Sequence, residues 1–297
     1  PAILNVAMII ACVWFVPHTS PGVVALSVGV LIGGVIQLVV QLPTAARLGF
    51  RWGAQWTHPG SREILRLFGP RLLGSAVYQA NVLMDTILAS LAFIVGEGAV
   101  AAIYYANRLV QLPLALFGTA SAQASLPSLA EQAAGQDLEA FRATLTSVLR
   151  MVGFVMLPAA AGLIALAFPI VGGLFERGAF DHRATVMTSQ AVMCYAIGLL
   201  AYAVSKIASG ACFALRDTWT PVKRAAEALL VGVVLSLAFM WPLKISGLAL
   251  AASLANSLNA YRLVRHLERR LEAPILRPLL GPWSRMLCAS DRLLDAQ

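Results

Sequence analysis

One helical stretch places an arginine, an asparagine and a glutamine inside a run that is otherwise apolar enough for lipid. In YYANRLVQLPLALFGTASAQASLPSLAEQA, residues 104–133, Arg108 lies within about one helical turn of Asn107 and Gln111. A charge at mid-bilayer depth costs about 2.5–3.5 kcal/mol on insertion scales. Because Arg108 has no acidic residue within ten positions on either side, we expect its side chain to face a water-filled cavity or a buried partner. The alternative is a structural arginine buried against another helix.

Helical spacing divides this stretch into two faces. The polar face continues through tyrosine, threonine and small residues, at Tyr104, Ala115, Gly118, Thr119 and Ala122. The opposite face is apolar, with Ile103, Val110, Leu114 and Phe117. Pro113 removes a backbone hydrogen bond midway and predicts a kink. The candidate substrate cavity is therefore lined by Tyr104, Asn107, Arg108, Gln111 and Thr119.

Two further charges fall inside apolar runs and define a second candidate site. Asp85 follows Tyr78 and Asn81 at i+7 and i+4, and Lys206 lies on a face with Tyr195, Tyr202 and Ser209. Both charges are expensive in lipid. They could pair with each other or with Arg108 and serve structure only, or they could form an ion or substrate site. In the last apolar run, Ser253, Asn256 and Asn259 favour hydrogen bonding between helices.

Enzymatic and metal-binding motifs do not occur in the sequence. It contains no H-E-x-x-H, G-x-S-x-G, P-loop or paired-carboxylate motif in or beside an apolar run. The four cysteines, Cys12, Cys194, Cys212 and Cys288, are scattered without a C-x-x-C pair. We therefore expect a protein that is not an enzyme and has neither a metal site nor a disulfide framework.

Composition indicates a membrane protein. Hydrophobic residues make up 59% of the 297, charged residues only 12%, and the mean hydropathy is +0.77, whereas soluble domains carry roughly 25% charge. The net charge of +8 does not indicate nucleic-acid binding, because the cations lie at the ends of apolar runs rather than along one stripe. The expected architecture is an all-α, polytopic transmembrane helix bundle.

About eight runs are long enough to cross a bilayer, which takes roughly 20 residues. They lie near 1–17, 22–45, 68–95, 99–130, 146–175, 184–214, 221–243 and 246–268. The chain opens without Met inside an apolar run and without a charged n-region, so we expect a truncated start rather than a signal peptide. The segment after Leu271 is too interrupted by Pro and charge to predict a span.

The loops divide the cations unequally, which predicts the orientation. Loops 46–67, 131–145, 215–224 and the region from 269 onward carry most of the arginines, while only Arg177, Arg183 and Lys244 lie on the other side. By the positive-inside rule the first group is cytoplasmic. Loops 17–22, 96–98, 176–183 and 242–246 then face outward.

Several strings resemble the MurJ/MviN family of lipid II flippases, bacterial members of the multidrug/oligosaccharidyl-lipid/polysaccharide (MOP) exporter superfamily. In the family's order they are PAILNVAMI, QLVVQLP, FGPRLLGSAVYQAN with DTILAS, IYYANRLVQLPLALFG, LPSLA, LFERGAFD, LRDTWTPVK and GLALAASLAN. The resemblance covers residues 1 to about 270. It implies a multi-pass protein of the bacterial cytoplasmic (inner) membrane that flips undecaprenyl-pyrophosphate-linked peptidoglycan precursor by alternating access, for cell-wall biogenesis and cell shape.

The resemblance also implies a domain organisation. Residues 1–45 would be the last two helices of the N-lobe, 46–67 a cytoplasmic linker between lobes, 68–270 the six-helix C-lobe and 271–297 a C-terminal tail. Family members bind the lipid's pyrophosphate with several cavity arginines, of which only Arg108 falls within this chain. Many relatives are acidic at the positions of Asn107 and Gln111, so the local charge here is more positive.

Partners and ions follow from the same resemblance. The implied partners are lipid II, membrane lipid and cell-wall synthesis proteins, with no nucleic acid and no cofactor. Some relatives bind sodium near the position of Asp85, but the next-to-last helix here, EALLVGVVLSLAFM, offers only Ser236. Alternatives are another MOP-type exporter, either an O-antigen or polysaccharide flippase or a drug/cation antiporter, and a non-transporting scaffold or gene fragment. An antiporter would favour acidic cavity residues over one arginine.

Overall fold

The computed structural model describes residues 2–49 and 79–275, together with residues 72, 76, 77, 279 and 283. Every regular element in these ranges is a helix, which confirms the all-α class. The chain divides into two compact units, Pro1–Arg62 and Glu63–Gln297. The predicted linker, 46–67, falls mostly outside the described residues, and so do Tyr78 and most of the predicted tail.

The first unit is a pair of apolar helices. Helix α1, Ala2–Ile10, continues into a π-helical turn, Ala11–Phe15, and a short 3-10 turn, Val16–His18; helix α2 spans Gly22–Arg47. The two helices meet through a G-x-x-x-G pattern: a Cβ at Gly29 would lie 2.5 Å from that of Ala11, and one at Gly33 would lie 3.0 Å from that of Ala7. Such small-residue contacts hold helices together where lipid provides no hydrophobic drive.

The second unit is a helical bundle. Its helices are α3 (79–89), α4 (Ala92–Val95), α5 (Ala99–Pro113), a π-helical segment (Leu114–Thr119), α6 (Ala120–Ala134), α7 (Leu138–Ala165), α8 (Ala167–Phe175), α9 (His182–Ile197), α10 (Leu199–Ala214) and α11 (Trp219–Arg270). Helix α10 packs against α6, α7 and α11, and α9 packs against α5, α8 and α11. The buried core therefore centres on α9 and α10.

Helix α11 is two helices joined at a sharp break. Lys244 has φ 52° and ψ −126°, outside the helical region, and the chain reverses there. As a result Glu227 of the first half meets Arg262 of the second. The halves correspond to the predicted spans 221–243 and 246–268, and the break at Lys244 falls within the loop predicted at 242–246.

The number of spans depends on how breaks are treated. Within the described ranges, four helical stretches are long and apolar enough to cross a membrane, or five if the pair α9 and α10, bent by 48°, counts as one span. The first predicted span appears as the shorter apolar stretch Ile3–His18. The sequence predicted about eight spans. That number is higher because α11 holds two of the predicted spans and the third predicted span is only partly described.

Large apolar side chains remain exposed on both units, as a lipid-facing surface requires.

Candidate functional site

Helix α5 presents one face to the bundle and the other outward. Three of its four alanines, Ala99, Ala102 and Ala106, are buried together with Ile103 and Val110, because small side chains let α5 lie close against α9. The side chains on the opposite face, including Arg108, are exposed or half-buried. Between residues 103 and 114, the predicted polar face is therefore the exposed face of the helix, and the predicted apolar face is the buried one.

Tyr104 holds the guanidinium of Arg108. Nη2 of Arg108 donates to the Tyr104 hydroxyl at 3.0 Å, and Cζ lies 5.0 Å from the centre of the Tyr104 ring. Within the described ranges no carboxylate lies within 4.0 Å of this guanidinium, whose only hydrogen bond is the one to Tyr104. A guanidinium has five N–H donors. Most of the donor capacity of Arg108, and its full charge, therefore remain for a ligand.

Asn107 and Gln111 form a second polar pair one turn along. Nε2 of Gln111 donates to Oδ1 of Asn107 at 2.7 Å, with Asn107 half-buried and Gln111 exposed. The structure therefore brings four of the five predicted cavity residues together: Tyr104, Asn107, Arg108 and Gln111. This row can donate hydrogen bonds to an anionic, oxygen-rich ligand.

The π-helix after Pro113 changes which residues face outward. Gly118 is buried rather than on the polar face: a Cβ there would lie 3.1 Å from that of Ala203 on α10. Phe117, which regular spacing places on the same face as the buried Ile103 and Leu114, is 44% exposed. A π-helical turn inserts one extra residue and rotates the following side chains, so spacing counted as regular α-helix fails beyond Leu114. Thr119 is half-buried at the end of this segment.

At the second candidate site, Asp85 acts electrostatically on two tyrosines and forms no ion pair with Lys206 among the described residues. Asp85 on α3 is close enough to Tyr195 and Tyr202 to act on their hydroxyls electrostatically, so the predicted faces of the third and sixth spans do approach each other. Lys206 is exposed and Asn81 is exposed. In the part of the chain that the structure describes, no ion pair involves Asp85 or Lys206. The buried face of α10 is taken by Ala203, Val204, Ile207, Ala208 and Ala211.

We predict that Asp85 and Lys206 are energetically independent. The losses of thermal stability in Asp85→Asn and Lys206→Met, measured on detergent-purified protein, should add in the double variant to within about 0.5 kcal/mol. The matched control is Glu227→Gln with Arg262→Gln, whose side chains form an ion pair and should not add. If the double variant at Asp85 and Lys206 loses clearly less stability than the sum of the two single-variant losses, the two side chains interact and the prediction is wrong.

A polar network that the sequence did not predict joins the beginning and end of α11. Asp217 accepts hydrogen bonds from the backbone and hydroxyl of Thr220, at 3.0 and 2.8 Å, and from His266 at 2.9 Å; Arg270 lies 3.4 Å away. Burial alone would raise the pKa of Asp217, but these hydrogen bonds lower it. The stability it contributes is thus present at neutral pH and is lost as the pH falls through the lowered pKa. The D-x-x-T spacing, a capping pattern, was the available signal.

Comparisons with known proteins agree on one family. Residues 1–288 match the family described as "Lipid II flippase MurJ". The chain is 35% identical over 273 residues to "Probable lipid II flippase MurJ" of Vibrio cholerae, covering 90% of the chain and 51% of that protein. It is 33% identical over 276 residues to "Lipid II flippase MurJ" of Burkholderia cenocepacia, covering 91% and 53%. The chain thus spans about half the length of the curated relatives it matches.

Solved structures show the same fold. A structure titled "Lipid II flippase MurJ, inward closed conformation" superposes with a TM-score of 0.80 at 24% identity, covering all of this chain and 59% of that one. The Vibrio cholerae MATE transporter VcmN superposes with a TM-score of 0.68 at 16% identity, covering 91% and 61%. At these identities the likeness concerns the fold alone. The architecture is that of a transmembrane helical transporter fold.

Proposed function

This chain belongs to the MurJ family, and on that premise we propose that the protein flips lipid II, the polyprenyl-pyrophosphate-linked peptidoglycan precursor, from the cytoplasmic to the outer leaflet. The family and the apolar helices make it a multi-pass protein of the bacterial inner membrane. A large anionic headgroup needs a polar cavity with fixed cations in order to cross the membrane. Alternating access by two lobes moves the headgroup across without an open pore.

The observation that carries this proposal is Arg108. Its guanidinium is exposed on the polar face of α5, with Tyr104 as its only hydrogen-bond partner in the described ranges. Arginine remains charged at any physiological pH and donates in a fork that matches phosphate oxygens. A cation that costs free energy in lipid and lacks a carboxylate partner is best explained by an anionic substrate.

Within this proposal each part of the chain has a role. Residues 1–45 contribute the last two N-lobe helices, 46–67 the cytoplasmic linker, 68–270 the C-lobe and 271–297 the tail. Tyr104 orients Arg108, and Asn107 and Gln111 supply amide contacts to the headgroup or sugar. The partners are lipid II, the surrounding membrane lipid and proteins of cell-wall synthesis. The protein acts as a transporter and catalyses no bond-breaking step.

A sodium ion at Asp85 is not part of the proposal. Among the described residues, no group of three or more His, Cys, Asp or Glu side chains could hold a metal ion. Around Asp85 the structure places the tyrosines Tyr195 and Tyr202, while Ser236 is buried on α11. No step of the proposed transport cycle is assigned to sodium, and a sodium ion near Asp85 stays an expectation of the resemblance.

Genetic complementation tests the proposal. The protein expressed at full length in a strain depleted of its own lipid II flippase should restore growth and cell shape. Quantified membrane abundance ensures that a negative result reflects lost function rather than lost protein. Lysis despite normal abundance, with no gain of lipid II transport, would contradict the proposal and favour another exporter of the superfamily or a scaffold.

A further inference from the structure

A basic cavity lies where α11 begins and ends, outside the α5 site. Its volume is about 210 Å³. Four guanidinium groups, one imidazole and one phenol line it, from Arg224 on the first half of α11 and from Tyr261, Arg262, Arg265, His266 and Arg269 on the second. Neither the transport proposal nor the α5 row uses these residues.

The charges in this cavity are only partly neutralised. Glu227 pairs with both Arg224, at 2.8 Å, and Arg262, so one carboxylate serves two cations. Arg265 contacts the Tyr261 hydroxyl at 3.0 Å and Glu268 at 3.7 Å. Within the described ranges Arg269 has no hydrogen-bond or ion-pair partner, and the buried Nε of Arg224 has no acceptor. The cavity therefore has positive charge and donors left over for an anion.

The surroundings indicate a lipid headgroup rather than a free anion. The cavity lies at the end of α11 predicted to be cytoplasmic, and its aromatic lining residue, Tyr261, is exposed, as aromatic residues are at membrane interfaces. From this end a row of exposed apolar side chains continues along the first half of α11, at Leu230, Val234 and Leu237. Acyl chains could lie along this row while the phosphate occupies the cavity.

We propose that this cavity binds the headgroup phosphate of an anionic phospholipid of the cytoplasmic leaflet. Basic pockets between membrane helices on the cytoplasmic side recognise such headgroups. Arg265 and Arg269 supply donors from the second half of α11 and Arg224 from the first. A bound phosphate would thus link the two halves at the membrane surface. The inference rests on the cavity and does not depend on lipid II transport.

Lipid titration tests this proposal. Purified full-length protein in detergent is titrated with fluorescent short-chain phosphatidylglycerol and, separately, with phosphatidylcholine. We expect tighter binding of phosphatidylglycerol, weakened at high salt because screening reduces exposed charge interactions. The variant Arg265→Gln/Arg269→Gln should lose about tenfold or more of that affinity. Arg150→Gln, at an exposed arginine of α7, is the matched control and should keep it.

Three outcomes would overturn the proposal. These are equal affinity for the two lipids, an unchanged affinity in the double variant, and displacement of phosphatidylglycerol by inorganic phosphate at equal concentration, which would indicate a free-anion site. The single variant Arg269→Gln guards against misfolding, because this side chain has no hydrogen-bond or ion-pair partner among the described residues. It should lower the affinity for phosphatidylglycerol while leaving the melting temperature without lipid unchanged.

Discussion

Replacing Arg108 with alanine should lower transport by about 10- to 100-fold while leaving the protein folded in the membrane. The side chain is exposed, and among the described residues Tyr104 is its only hydrogen-bond and cation–π partner, so its loss removes little packing. Hydrogen bonds to charged groups are each worth about 1.5–3 kcal/mol, which corresponds to a transport rate lower by about 10- to 100-fold. Arg108→Lys should be partly impaired, because an ammonium keeps the charge but loses the forked geometry.

Complementation of a flippase-depleted strain measures this effect, with membrane abundance determined in parallel. Arg150→Ala serves as the control, since Arg150 is also an exposed arginine in a long apolar helix but lies outside the α5 row. Growth of the Arg108→Ala strain at the rate of the unsubstituted protein would show that Arg108 is not part of the substrate site. It would then be a structural arginine.

Gly247→Ala should cause the largest loss of stability. Gly247 is buried just after the break at Lys244, where α11 turns back on itself. A Cβ at this position would lie 2.3 Å from the carbonyl oxygen of Phe239 and 2.6 Å from its carbonyl carbon. Because backbone atoms cannot rotate away as a side chain can, the two halves of α11 must separate. We expect a cost of about 3 kcal/mol.

Thermal unfolding of detergent-purified protein and the yield of folded protein measure this cost. The matched control is Gly162→Ala on α7, where a Cβ would meet nothing within 4 Å and the better helix propensity of alanine should leave stability equal or slightly higher. Equal melting temperatures for the two variants would mean that the close approach at Phe239 does not constrain the fold.

The helices and most of the α5 face could be predicted from the sequence, because apolar runs and i+3/i+4 spacing are local properties. The alternation of buried Ile103 and Val110 with outward Tyr104 and Arg108 follows directly from that spacing. The π-helical segment after Pro113 could not be predicted. The extra residue in that turn depends on how Gly118 packs against Ala203 of α10, a contact between distant parts of the chain.

Long-range polar contacts were harder to predict for the same reason. The free-energy cost of a charge in lipid marked Asp85 as a residue that needs polar neighbours, and Tyr195 and Tyr202 are close enough for Asp85 to act on them electrostatically. Which polar group lies nearest to Asp85 depends on the rotation of the helices, which that cost does not determine, and Lys206 is exposed. Of the basic cavity of α11, the sequence showed only several arginines near residue 265. It could not show that Arg224 lies beside them, because the chain reversal at Lys244 brings the two together.

The most direct measurement of the central proposal is the appearance of lipid II in the outer leaflet. Cells depleted of their own flippase and expressing the full-length protein are treated with a membrane-impermeant enzyme that cleaves lipid II, and the cleaved product is quantified. We predict that cleavage rises to the level of flippase-replete cells and falls by about 10- to 100-fold in Arg108→Ala at equal abundance. Lipid II that stays protected from the enzyme, although the unsubstituted protein is abundant in the membrane, would contradict the proposal that this protein is a lipid II flippase.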